Sequence, residues 1–295
     1  MADKRSGVAV VDKPRGVSSH TVVAQARRVF GRKDIGHAGT LDPMATGVLL
    51  VLVGQATKLS GYLTADVKRY AADITFGRST DSLDADGRVT AEAPVQPEQL
   101  REELVQAALA EERARRLQTP PAVSAIKVAG ERSYALARKG QAAELPARPV
   151  EVLELCALEL RPPLLRCELL VSKGYYVRSL ARDLGERLGL PAHLSALRRL
   201  ASGPFGIEAA CAWPPTEPPT LIGLADAACA TLPACRLKAD AVLRARQGKP
   251  LQAEDFDQLP TSAELGAWLS PEGELVALGT TQGELRVVRG FNPER

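Results

Sequence analysis

Gly36-His37-Ala38-Gly39-Thr40-Leu41-Asp42-Pro43 runs, four residues later, into the apolar stretch Val48-Leu49-Leu50-Val51-Leu52-Val53. Two glycines and a proline bend and fix the backbone of the first stretch and keep it from becoming helical. The second stretch reads as a buried strand. A lone carboxylate, Asp42, therefore sits between a small-residue turn and a core strand. That setting suits a nucleophile that must not move. Asp-Pro is also a common turn pair, so turn chemistry is the plainer account of Asp42 at this point.

Composition narrows the choice. The 295 residues suffice for one large domain and a small one, and a hydrophobic share of 45% is that of a globular chain. No apolar run approaches the roughly 18 residues of a membrane span. The N-terminus, Met1-Ala2-Asp3-Lys4-Arg5, leads straight into a strand-like run without a signal-peptide core. Cys156, Cys167, Cys211, Cys229 and Cys235 are odd in number and lack metal-ligand spacing, which reads as reduced thiols in a cytoplasmic protein. His20, His37 and His193 have no paired spacing, so no metal site is expected. Charge is uneven. Residues 1–40 hold eight Lys and Arg against three Asp, an excess of five in a chain whose net charge is only +3. A basic segment leading up to Asp42 fits a polyanionic partner; a solvated face is the plainer reading.

Outward from Asp42, Val8–Val11 reads as a short strand ending in the turn Asp12-Lys13-Pro14-Arg15-Gly16. Ser18 or Ser19 caps a helix running to about Phe30, with Val22, Ala26 and Val29 on one face and Arg27 and Arg28 near its end. A short helix is expected over Ala56–Leu63, with Lys58 exposed, and a strand over Lys68–Phe76 carrying Tyr70. Asp81–Gly87 is an Asp-rich turn. As a calcium loop it would start at Ser82 and end on Ala93 where a Glu is needed. Pro97 to about Gln118 reads as one helix. Residues 119–149 read as a surface insertion with a basic middle (Lys127, Arg132, Arg138, Lys139) and a short helix at Ser133–Arg138. Val150–Leu160 and Leu164–Val171 form a hairpin. The chain then passes through Ser172-Lys173-Gly174-Tyr175-Tyr176-Val177-Arg178 into a helix reaching about Leu188. A linker-like run of prolines at 214–219, a helix around Leu221–Thr231, and a small β-rich domain from about Cys235 complete the reading.

With no metal spacing, no phosphate loop and no Cys/His pair, Asp42 leads as the reactive group, and a nearby cation is needed to keep a half-buried carboxylate ionised. Arg178 suits, because a guanidinium meets a carboxylate at two points. Tyr70 can stack on a planar substrate. Carboxylate, arginine, tyrosines and basic patches together fit nucleobase chemistry on RNA better than small-molecule hydrolysis. A glycosidase would need a second acid at a set distance, which sequence leaves open.

These residues also carry a resemblance. Asp12-Lys13-Pro14-x-Gly16-x-Ser18-Ser19, Gly36–Pro43 continuing to Ala45-Thr46-Gly47, Lys68-Arg69-Tyr70, Thr80-Asp81-x-x-Asp84-Ala85-Asp86-Gly87, Ser124-Ala125-x-Lys127 and Ser172-Lys173-Gly174-x-Tyr176-Val177-Arg178-Ser179 stand in the order of the bacterial tRNA pseudouridine-55 synthase (TruB) family, over most of residues 7–205. The resemblance implies an α+β fold. Residues 1–233 would form the catalytic domain, a mixed, largely antiparallel central sheet flanked by helices, and 234–295 a small β-rich PUA-like RNA-binding domain. It implies a cofactor-free isomerisation of uridine in the tRNA T loop, with the base detaching from C1′ at N1, turning, and reattaching through C5. Asp42 would attack C1′ or assist proton removal at the sugar. Tyr70 would stack on the uracil and join the late proton step, and Arg178 would pair with Asp42. His37 would fill the space left by the flipped base, Tyr176 and Leu197 would line the uracil pocket, and the 119–149 insertion would clasp RNA. Lys13, Lys58 and Lys127 are candidate substrate contacts. Val123 departs from the aromatic residue many members carry there. The partner expected is tRNA, with a monomer needing no protein partner and no membrane. Two rivals stand beside this reading: a tRNA chaperone that only binds, which would not need a buried carboxylate, and a related synthase acting on rRNA or guided by H/ACA RNA.

Overall fold

The structure is a computed structural model and describes residues 5–64, 67–123, 127–128, 131–132, 145–260 and 262–292. Met1–Leu41, Val48–Asp66 and Ser202–Arg295 pack as one compact unit; Asp42–Gly47 and Val67–Ala201 pack as another.

In the first unit, strand Gly7–Lys13 neighbours strand Thr46–Val53 and pairs in parallel with Cys211–Ala212. Strand Ile35–Ala38 runs antiparallel to Leu50–Val53. Val48 through Val53 are all fully buried. A strand covered on both faces reads as an unbroken apolar run, and each such side chain contributes roughly 1.5–3 kcal/mol. The expected helix spans Ser19–Val29; Ser18 caps it by accepting the Thr21 N–H at 3.0 Å. Val22 and Ala26 are buried, while Arg27 and Arg28 are exposed on its last turn. The segment expected as a helix over 56–63 is a tighter 3₁₀ stretch, Gly54–Leu59, closing in the single turn Ser60–Leu63.

Residues 234–290 build a separate five-stranded sheet in the order Phe256–Gln258, Ala234–Leu237, Leu265–Leu269, Leu275–Thr280, Val287–Gly290. Side chains alternate across its strands. Trp268 lies in one core, edge-on to Phe256 at 5.1 Å. Its neighbours Ala267 and Leu269 join the apolar cluster that also holds Val8, Leu50 and Leu59. Ala267 and Leu269 of the C-terminal sheet thus pack with side chains of the N-terminal strands.

In the second unit the strands run Val152–Arg161, Leu164–Val171, Lys68–Phe76, Ala192–Ser202, the first three antiparallel. Thr46–Gly47 pair in parallel with Arg198–Arg199. Gly47 has φ +99°, and a Cβ there would lie 2.2 Å from the Arg199 carbonyl oxygen, so the close approach requires glycine. Parallel and antiparallel pairings together give the mixed, largely antiparallel α+β arrangement.

The helix expected from Pro97 to Gln118 is interrupted. A 3₁₀ turn, Pro97–Leu100, ends at Arg101, which is extended, and a new helix runs Glu102–Arg113. Glu102 and Glu103 suit a helix N-terminus, so the acids restart the helix rather than continue it. Leu117–Gln118 leave it to pair with Arg148–Pro149 across the base of the insertion. Of the insertion, Lys127–Val128 pair with Glu131–Arg132; the expected helix at Ser133–Arg138 and the Lys127 side chain lie outside what is described. The helix expected to reach about Leu188 spans Val177–Leu188 and closes on Gly189. Among the described residues no helix is long and apolar enough to cross a membrane.

Candidate active site

Asp42 stands on a tight turn in which the Ala45 N–H donates to the Asp42 carbonyl at 3.1 Å. The residue before it, Leu41, is held at both backbone groups by the Ser19 hydroxyl, at 2.9 and 3.2 Å. Met44 and Ala45 are buried, while the Asp42 side chain is 35% exposed. The backbone is thus fixed and the carboxylate left accessible.

Arg178 projects from the first turn of helix Val177–Leu188 and is 5% exposed. Its Nη2 donates to Asp42 Oδ1 at 3.3 Å, and its Nε lies 2.9 Å from Oδ2. The guanidinium touches both oxygens, but the Nε contact is an ion pair without hydrogen-bond alignment. Nη1 donates to the carbonyls of Ser82 and Val123, both at 3.0 Å. A second carboxylate, Asp84, approaches Nε at 3.6 Å. Asp84 is itself buried, and its Oδ1 accepts from the Ser82 hydroxyl at 2.6 Å and the Asp86 N–H at 3.2 Å. One buried cation thus faces two carboxylates and two carbonyls. A buried guanidinium is tolerated only with such partners around it.

Asp84 and the Ser82 carbonyl also meet Arg178, although in the sequence they stand only in an Asp-rich turn. Three Asp lie within six residues there, and their spacing does not say which one turns inward. The loop is pinned where Ala85 N–H donates to the Leu194 carbonyl and Leu194 N–H to the Leu83 carbonyl, both at 3.0 Å. That pairing aims Asp84 at Arg178.

Tyr70 lies on the same face of strand Lys68–Phe76 as Ala72 and Ile74, and is partly exposed. Arg69 faces the other way, onto Glu154 and Glu168 at 2.8 Å each. Of the tyrosine pair, Tyr175 is structural: its buried hydroxyl donates to Glu112 at 2.8 Å. Burial, reinforced by the Glu112 charge, pushes its pKa well above the ordinary tyrosine value, so it stays a donor. Tyr176 precedes the Arg178 helix as its N-cap. Leu197 is buried, and its carbonyl accepts from the Thr46 hydroxyl at 3.4 Å.

The other unit holds His37, whose ring meets His20 edge-on at 5.5 Å. Two lysines expected on RNA are occupied inside the protein. Lys13 is fully buried, and its Nζ donates to the Pro14 and Val17 carbonyls at 2.9 and 2.8 Å, closing the Asp12–Gly16 turn. Lys58 is not the exposed residue expected. Its Nζ donates to the Gly290 carbonyl at 2.9 Å and to Gln55 at 3.1 Å, over the Phe291 ring. Desolvation, with Arg289 adding repulsion, lowers its pKa. Both positions anchor chain segments, the second the C-terminal stretch. Among the described residues no cluster of His, Cys, Asp or Glu is arranged to hold a metal ion.

Comparison with known proteins places this fold among the pseudouridylate synthases. The fold is similar to that of a chain in the crystal structure of a Cbf5-Nop10-Gar1 complex, at 25% identity and a TM-score of 0.75, covering 99% of this chain and 86% of that one. Residues 27–177 match the model for the TruB family pseudouridylate synthase N-terminal domain, and residues 178–214 that for the tRNA pseudouridylate synthase B C-terminal domain. The chain belongs to the TruB family. It is 43% identical to the tRNA pseudouridine synthase B of Mycolicibacterium paratuberculosis, over 94% of each chain. It is 40% identical to that of Ruegeria pomeroyi, over 99% of each.

Proposed function

We propose that the chain isomerises uridine 55 in the T loop of tRNA to pseudouridine, acting in the cytoplasm as a monomer without a cofactor. The N1–C1′ bond breaks, the uracil turns, and a C5–C1′ bond forms; the proton leaving C5 is balanced by one gained at N1, so the product is an isomer. Asp42 is the carboxylate that attacks C1′ or takes a proton from the sugar. Arg178 orients it, Tyr70 stacks on the uracil and serves the late proton step, and Tyr176 and Leu197 line the base pocket. His37 fills the space of the flipped base. Residues 1–233 carry the chemistry, residues 234–295 are a PUA-like RNA-binding module, and the 119–149 insertion with Lys127 clasps RNA.

The observation that carries this reading is the fixed, accessible Asp42 on a buried Arg178 in a chain of this family. A binding protein would not need that pair. Nucleotide-resolution pseudouridine mapping of tRNA transcripts incubated with the purified protein tests it. Conversion is expected at position 55 and to be lost in Asp42→Asn; conversion only elsewhere, or undiminished in Asp42→Asn, would overturn it.

A further inference from the structure

Gln118 is 1% exposed, at the base of the insertion, where its backbone pairs with Arg148. Its side-chain amide makes two bonds to one residue of another element: Oε1 accepts the Tyr176 N–H at 2.8 Å, and Nε2 donates to the Tyr176 carbonyl at 3.2 Å. The amide thus pairs with Tyr176 as a strand backbone would. Tyr176 is the N-cap of the helix that carries Arg178, and it lacks a side-chain cap bond of its own. Its carbonyl also receives the Ser179 and Leu180 N–H groups at 3.1 and 3.3 Å, so whatever holds Tyr176 sets the direction in which this helix starts.

The residues after Gln118 continue the contact. The Thr119 carbonyl accepts from Ser179 Oγ at 2.9 Å and Arg182 Nη2 at 3.2 Å. The Val123 carbonyl then reaches the Arg178 guanidinium itself. Residues 118–123 therefore grip the first turns of the helix at backbone and side chain, ending on the guanidinium that pairs with Asp42.

We propose that Gln118 is a positioning residue for the Arg178–Asp42 pair, fixing the start of the Arg178 helix through its double bond to Tyr176. The proposal rests on the catalytic reading of that pair. Reacting groups tolerate about 0.5 Å or 10–20° of error, and a misplacement of about 1 Å costs about a hundredfold in rate. Arg178 reaches Asp42 through two contacts, at 2.9 and 3.3 Å, and a tilt of the helix start would disturb both.

The test uses the full chain with tRNA. Gln118→Met keeps the length of the side chain and removes both bonds. Its single-turnover rate at saturating enzyme is expected to fall about 10- to 100-fold, with tRNA affinity within about threefold. In a Gln118→Met/Arg178→Lys double variant the losses should not multiply, because one variant acts through the other. A purely structural role would lower Tm and affinity together and leave the two losses independent. Should the Met variant fail to fold, Gln118→Glu, which keeps the acceptor and loses the donor, is read in the same way. A folded variant with parental rate, or losses that multiply, would overturn the proposal. Asp42→Asn in the same assay separates the two claims. If it turns over, the catalytic reading fails; if it is inactive while Gln118→Met runs at the parental rate, only the positioning role fails.

Discussion

Arg178→Lys changes neither charge nor, to a first approximation, side-chain reach, yet it is expected to be severe. The guanidinium meets Asp42 Oδ1 and Oδ2 and the carbonyls of Ser82 and Val123, with Asp84 Oδ2 further off at 3.6 Å. A single ammonium nitrogen can stay with Asp42 or with the carbonyls, but it lacks the planar fork that serves both. About two charge-assisted contacts are lost. At roughly 1.5–3 kcal/mol each, that is about 3–6 kcal/mol, with little solvent screening because Arg178 is buried. The contacts to Ser82 and Val123 exist before any substrate binds, so part of this appears as lower stability. At about 1.4 kcal/mol per tenfold, the remainder gives a loss of about 10²–10³ in the chemical step. Single-turnover release of tritium from C5-labelled uridine in tRNA, at saturating enzyme, reads that step directly; affinity should stay within about tenfold, or roughly 1.4 kcal/mol. A Lys variant within about threefold of the parent rate would refute the claim that the fork holds Asp42 for reaction.

Asp42→Asn should abolish pseudouridine formation with tRNA affinity within about tenfold, measured by tritium release and binding isotherms; appreciable turnover would remove Asp42 from its role. Tyr70→Phe should leave binding and its salt dependence nearly unchanged, because the ring still stacks, and slow the single-turnover rate if the hydroxyl moves a proton. Charge reversal at Arg27 and Arg28, both exposed, should weaken tRNA binding and flatten its dependence on salt, since phosphate contacts release counterions; an unchanged slope would make that face merely solvated. Lys13→Met should lower Tm, because two internal bonds to carbonyls are lost, and leave the salt slope alone; a slope smaller by about one with unchanged Tm would make Lys13 a phosphate contact.

Local rules sufficed for much of this molecule. The unbroken apolar run 48–53, the alternation over 68–76, the Ser18 cap and the helix end near Leu188 each depend on interactions within a few residues, and each is legible in order along the chain. That Arg178 would meet Asp42 was legible too, through ordered motifs and the need of a half-buried carboxylate for a cation. Tertiary structure alone decided the rest. Asp84 and Gln118 gain their roles from contacts across 94 and 58 residues of chain, which no local pattern encodes. Lys13 and Lys58 look like surface cations in the sequence. Whether an ammonium faces water or a backbone carbonyl depends on which segment folds over it: for Lys13 its own turn, for Lys58 the stretch at Gly290. The helix expected through Gln118 ended at Arg113 because pairing with Arg148–Pro149, and the amide's bonds to Tyr176, outweighed the small local preference for helix.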